Sequence, residues 1–172
     1  SPVRAAAERC DAAGPLLVQV TKLYPTADAG AFRALGRVLS GTVAPGQRVK
    51  VLGEAYTPED EEDMALAEVE HVYVGETRYV VETDGVPAGS WALLAGVDAS
   101  IVKSATLCDA ALPAEQTHPL RPLTHLTESV LKVAVEPLNP SELPRMLEGL
   151  RKVNKTYPLL TTRVEESGEH TL

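Results

Sequence analysis

Several residue types and patterns are scarce in this sequence, and each scarcity removes a class of function. Cysteine occurs only at Cys10 and Cys108, far apart and in no C-x-x-C pair. This predicts two free thiols in a reducing compartment rather than a disulfide framework or a cysteine zinc site. No apolar run approaches the ~20 residues of a membrane-spanning helix, so no membrane partner is expected. The opening "SPVRAAAERCDAAGP" mixes charges with small residues and has no signal-peptide core, so residues 1–14 read as a flexible lead-in. Positive charge is also short. The net charge is −8, whereas general attraction to a phosphate backbone needs a basic surplus. A local basic patch is compatible with that total. There are seven aromatic residues, and along the chain none falls into the interleaved basic–aromatic pattern of a base-stacking platform.

Sequence motifs for catalysis are missing as well. There is no G-x-x-x-x-G-K-[ST] phosphate loop, no H-E-x-x-H and no G-x-S-x-G. The run Asn154 to Tyr157, "NKTY", has the first two residues of a guanine-reading N-K-x-D but a tyrosine in place of the aspartate, at a predicted helix end. His71, His118, His125 and His170 are scattered and read as surface or structural side chains. No catalytic residue, cofactor-binding residue or metal ligand is assigned.

What is present is a folded chain with 44% hydrophobic and 23% charged residues, enough apolar material for a sizeable core. From Leu16 to about Leu107 the signal is strand after strand. "LLVQVTKLY" is followed by a turn near Asp28 to Gly30, then by "FRALGRVLSGTV" with Gly36 and Gly41 inside it. Glycine within a strand often marks a bend or bulge. Pro45-Gly46 suits a type II turn, because proline presets φ and glycine accepts positive φ. "RVKVL" alternates, with Val49 and Val51 on one face and Arg48 and Lys50 on the other. Short strands with regular turn signals argue for a small closed β-barrel over 15–111.

Six of the acids lie in one short stretch: Glu54, Glu59, Asp60, Glu61, Glu62 and Asp63. Consecutive carboxylates in an extended chain point in opposite directions and do not converge on one ion, and no glycine supplies an EF-hand turn. The run Glu59 to Asp63 therefore reads as a solvated loop or as an acidic docking loop.

A proline-containing linker over 112–128 leads to a second pattern. Ser129 to Pro137 alternates as a strand with Leu131, Val133 and Val135 on one face. A helix follows. Asn139-x-x-Glu142 with Pro140 first is a capping-box start, and Ser141 is a rival cap that puts Pro144 in the first turn. Leu143, Met146, Leu147, Leu150 and Val153 form its apolar stripe. Arg145, Glu148, Lys152 and Lys155 share the other face, either solvated or available to a partner. A second strand, a turn at Ser167-Gly168 and the start of a third strand complete 129–172. One helix on two or three strands is little for independent stability, which suggests a piece of a longer protein.

Read together, "GRVLSGTVAPGQRVKVLG" (36–53) resembles the second-domain signature of translational GTPases, and "VPAGSWALLAGVDASIVKSATL" (86–107) resembles the closing strands of that barrel. Residues 121–170 resemble the opening of the third domain in the elongation factor 2 branch. Within that branch, the acidic stretch, the Trp91 segment and the Asn139-Pro140-Ser141-Glu142 helix start are more similar to the spliceosomal elongation-factor-2-like GTPase of the U-five small nuclear ribonucleoprotein than to ribosomal elongation factor 2, the alternative. The resemblance implies a mainly β fold: a translation-factor domain II barrel, then a partial α+β ferredoxin-like segment. It also implies a nuclear protein of pre-mRNA splicing, acting in spliceosome activation and disassembly. GTP and magnesium would sit in a domain before Ser1, and this segment would be a non-catalytic relay with no cofactor of its own. Implied partners are the protein's own GTPase domain, the large scaffold protein and the RNA helicase of the particle, with small nuclear RNA open. By analogy, contacts are expected around Arg37, Ser40 and Gly41, and at the turn formed by Glu165, Glu166, Ser167, Gly168, Glu169 and His170.

Overall fold

The computed structural model describes residues 1–60, 62–127 and 130–172. Glu61 of the acidic run and Ser129 at the expected strand start lie outside the described residues. The chain divides into two units, Ser1–Leu123 and Thr124–Leu172.

The first unit opens with α1 (Pro2–Glu8) and continues with β1 (Leu17–Pro25), β2 (Phe32–Ser40), β3 (Thr42–Val43), β4 (Arg48–Leu52) and β5 (Met64–Glu68). Then come β6 (His71–Glu76), β7 (Tyr79–Glu82), β8 (Val86–Pro87), β9 (Trp91–Ala95) and β10 (Ala105–Asp109). The main sheet runs β5-β4-β10-β1-β2-β9-β6-β7, and β3 pairs with β8 separately. The sheet closes because β5 runs almost directly into β6. β5 pairs with β4, and β6 pairs with β9 on the far side of the sheet. Buried Val69 lies between them, its N–H donating to Gln47 O at 2.9 Å and its carbonyl accepting from Gly46 N at 2.7 Å. A closed antiparallel ring leaves no edge strand along that circuit.

The alternation read from the sequence is what fills the ring. Val18, Val20, Ala34, Val38, Val49, Val51, Leu94 and Leu107 all face inward. Gly36 sits opposite a bulge: the β1–β2 register shifts between Val20 and Lys22, and a Cβ at Gly36 would lie 2.6 Å from Val18 Cγ1. Gly46 adopts φ +78° and Gln47 N donates back to Ala44 O at 3.4 Å, the expected Pro45-Gly46 turn.

The lead-in differs from the sequence reading. Instead of a flexible segment, α1 buries Val3 and Ala6, which lie one turn apart on one face. The backbone after it is stitched to the barrel. Gly41 N donates to Asp11 O at 2.8 Å, Thr42 Oγ1 to Ala12 O at 2.9 Å and Leu16 N to Asp109 Oδ2 at 2.8 Å. Small residues that look featureless in sequence permit this close approach. At the other end the unit extends past Leu112. Thr117 is buried with its hydroxyl donating to Pro113 O, and Leu120 N donates to Thr106 Oγ1 at 2.7 Å.

The second unit contains β11 (Ala134–Val135), α2 (Leu143–Thr156), β12 (Arg163–Val164) and β13 (His170–Thr171). Its sheet order is β11-β13-β12, antiparallel at both junctions. The two strands flanking the helix are thus parallel with a third between them, the split βαβ arrangement of ferredoxin-like folds. The strand expected from Ser129 to Pro137 is shorter, although Val133 and Leu172 exchange two further backbone bonds of 3.1 and 3.0 Å. Of the two expected caps, Asn139 is used and Ser141 is not: α2 begins after Glu142 with no side-chain cap. Asn139 Oδ1 accepts from Ser141 N at 3.2 Å and caps a 3-10 turn over Pro140–Glu142, and Pro144 falls in the first turn of α2. Pro144 cannot donate to Pro140 O, which explains the tighter entry turn.

Candidate interaction surfaces

Of Arg37, Ser40 and Gly41, the structure exposes one. Arg37 is exposed on the outer face of β2, opposite Gln19 and Trp91, with its guanidinium carbon 5.9 Å from the centre of the Trp91 ring. Ser40 points the other way. It is fully buried, and its hydroxyl donates to Pro15 O at 2.6 Å. Gly41 is also buried, with φ +75°, and a Cβ there would lie 2.7 Å from Leu16 Cα. Ser40 and Gly41 fasten the lead-in to the barrel, so the expectation that they contact a partner is corrected. Three residues apart on one strand, Arg37 and Ser40 fall on opposite faces by the two-residue period, so a contact shared by both side chains was already disfavoured by the sequence.

The turn after β12 is built around Glu165. Gly168 takes φ +88°, its N–H donates to Glu165 O at 2.8 Å, and Glu165 N donates to Glu169 O at 2.9 Å. The Glu165 carboxylate is engaged. Lys132 Nζ lies 2.6 Å away and Thr171 Oγ1 donates at 3.1 Å. These hydrogen bonds, that from Lys132 first, hold the carboxyl below its ordinary range. Glu166, Ser167, Gly168 and Glu169 are exposed, and His170 is half-buried in β13. The outward side of this turn is therefore acidic.

In the acidic loop the carboxylates serve different ends. Asp63 Oδ2 accepts from Ala55 N at 2.9 Å, Asp60 Oδ1 from Glu62 N at 3.0 Å, and Glu54 Oε1 from Ser104 N and Oγ at 3.1 and 2.6 Å. Glu59 and Glu62 are exposed. Sequence reasoning missed the anchor. Tyr56 is buried against Leu52 and Cys108, with Met64 and Leu112 beside them. A lone aromatic among acids was the available signal. Burial here also pushes the Cys108 thiol up to about 11. Among the described residues, no group of three or more His, Cys, Asp or Glu is arranged to hold a metal ion. Asn154 and Lys155 lie in the last turn of α2 and Tyr157 caps it, standing where guanine reading would need an aspartate.

Residues 32–108 match the family model of elongation factor Tu domain 2. Over all 172 residues the chain is 54% identical to the 109 kDa U5 small nuclear ribonucleoprotein component GFL of Arabidopsis thaliana, and 54% identical to the 110 kDa component CLO of the same plant. Over 158 residues, 92% of the chain, it is 56% identical to pre-mRNA-splicing factor cwf10 of Schizosaccharomyces pombe. The similarity to these proteins runs along all or nearly all of the chain. The chain spans 18%, 17% and 16% of the lengths of the three relatives.

The elongation factor Tu domain 2 match starts at Phe32, the first residue of β2, and ends at Cys108 in β10. It therefore covers most of the ring that presents Arg37 and Trp91. The splicing names of relatives matched along all or nearly all of the chain favour the spliceosomal reading of the sequence over the ribosomal one.

Proposed function

We propose that this segment is a non-catalytic interaction and relay module of a nuclear, elongation-factor-2-like splicing GTPase. The observation that supports this most is identity of 54–56% to splicing proteins along all or nearly all of the chain. The barrel and the split βαβ unit would carry nucleotide state from a GTP- and magnesium-binding domain elsewhere in the protein to the particle. Its partners would be the large scaffold protein and the RNA helicase, with small nuclear RNA a further contact, during spliceosome activation and disassembly. Arg37 would contribute from the barrel, and Glu166 to Glu169 from the turn. The exposed acids Glu59 and Glu62 would offer an acidic docking loop to a basic surface.

The test is affinity purification of the full-length protein from nuclear extract, before and after substitution of Arg37 by Glu. U5 particle proteins should co-purify with the unmodified protein and be depleted with the variant. Recovery of ribosomal subunits instead of splicing proteins would sink the assignment. Unchanged recovery with the variant would remove Arg37 from it.

A further inference from the structure

Folding creates a basic–aromatic face that the linear sequence hides. On the outside of β1, β2, β9 and β6 the strand registers set side chains in cross-strand rows. One row is Gln19, Arg37 and Trp91. The next is Lys22, Leu35, Leu93 and Tyr73. A third places Tyr24 beside Arg33. Each cation lies over a ring: Arg37 at 5.9 Å from the Trp91 centroid, Arg33 at 4.8 Å from Tyr73, and Lys22 at 5.0 Å from Tyr24. Such contacts are attractive within about 6 Å. Among the described residues, none of these three cations forms an ion pair. The carboxylate that ends the middle row, Glu82, is engaged by His71 Nδ1 at 2.6 Å. This positive face stands out on a chain of net charge −8.

The stacking indicates which anion fits. Non-specific single-strand binding stacks bases on open ring faces, and here each of the three rings already carries a cation over one face. A stacked guanidinium still has its N–H donors, arranged as a fork that suits a carboxylate. Arg33 and Arg37 are four residues apart on β2, about 13–14 Å at the usual rise of a strand. Half-buried Leu35 lies midway, paired with Leu93. An extended peptide has the same rise and the same two-residue side-chain period.

We infer that this face docks an extended acidic polypeptide segment, with carboxylates at i and i+4 over Arg33 and Arg37 and an apolar side chain at i+2 over Leu35. The inference is independent of the splicing assignment, because it needs only this chain and a peptide. Trp91 is the only tryptophan and is 46% exposed, so it serves as the reporter. The probe is the blocked peptide Ser-Glu-Ser-Leu-Ser-Glu-Ser, titrated against the 172-residue chain. The expected result is saturable change in Trp91 emission at roughly millimolar peptide, with affinity about tenfold or more weaker in the R33E/R37E double variant, as loss of charged hydrogen bonds implies. A peptide with its two glutamates adjacent should bind several-fold more weakly by the same reasoning. Because the double variant alters the surroundings of Trp91, backbone amide shifts of Leu35 and Leu93 provide a second readout, and far-ultraviolet dichroism checks folding. No change in either readout at ~10 mM peptide, some tenfold above the expected midpoint, would overturn the inference. So would undiminished binding by R33E/R37E, or tighter binding of a seven-nucleotide oligouridine at the same residues.

Discussion

Residues 1–123 and 124–172 use the same local signals and reach different outcomes. Both alternate apolar and polar residues in strands, and both use glycine at positive φ to turn. In the first unit, β1 and β2 are nine residues long, the sheet closes on itself, and a cluster including Val18, Leu23, Leu94 and Leu107 is fully buried. In the second, every strand is two residues long, and the only buried residue among those described is Thr171. Leu131 is 72% exposed and Val164 64%. No residue of α2 is buried. Alternation specifies which face is apolar, and closure or a covering layer decides whether that face becomes a core.

The largest expected effect tests this contrast directly. Leu94→Ala removes a fully buried side chain from the ring and should cost about 2–5 kcal/mol. Leu147→Ala, on the half-exposed face of α2, should cost less than about 1 kcal/mol, since little area leaves water there. Urea unfolding followed by Trp91 fluorescence, with helix content read in parallel, measures both. Equal costs would break the comparison. Next comes Gly41→Ala, which forces a Cβ at φ +75° against Leu16 backbone and should cost roughly 1–3 kcal/mol. Loss of barrel stability with Leu16 and Ser40 amides unprotected is the expected pattern. An unchanged urea midpoint would mean that the lead-in is not fastened through this residue.

A gentler probe uses the thiols. Cys10 is exposed and Cys108 buried, and burial pushes the Cys108 thiol up to about 11. Its folded form therefore favours the protonated state. The associated stability is full below the ordinary thiol range and is lost as pH climbs toward and through about 11. At neutral pH an aromatic disulfide reagent should titrate Cys10 promptly and Cys108 only as the Tyr56 cluster that covers it opens. The two rates should converge in Tyr56→Ala. Equal rates in the unmodified chain would contradict the burial of Cys108 beneath Tyr56.

The legible parts of this fold are those fixed by local chemistry. The Pro45-Gly46 turn, the Val49/Val51 alternation and the Asn139-Pro140 helix start follow from φ preferences and side-chain period, which need no knowledge of neighbours. The α1 packing was not legible, because alanines carry no periodic contrast until Gly14 brings the chain within reach of Ala6. Nor was the outer face of the barrel. Arg33 and Tyr73 are 40 residues apart in sequence and meet only through the β2–β9–β6 register. Among the site residues, Arg37 and Ser40 are three apart in one strand and lie on opposite faces, a distinction the two-residue period already carries.

The smallest effect concerns what holds the second unit together without a core. The Glu165 carboxylate accepts from Lys132, just before β11, and from Thr171 in β13, while Glu165 itself follows β12. One side chain thus ties all three short strands. Its carboxyl is held below the ordinary range, chiefly by the Lys132 hydrogen bond. The stability it supplies is therefore present above the ordinary carboxylate pKa and is lost as pH falls through the lower folded value. Exposure to solvent keeps the contribution small. Carboxyl NMR should show Glu165 titrating below the ordinary carboxylate range, with amide protection at 133–135 and 170–172 fading over the same acidic window. The barrel amides should hold through it. Lys132→Met should return the Glu165 midpoint toward the ordinary carboxylate range. An unmoved midpoint in that variant would show that the Lys132 contact does not tie β11 to Glu165.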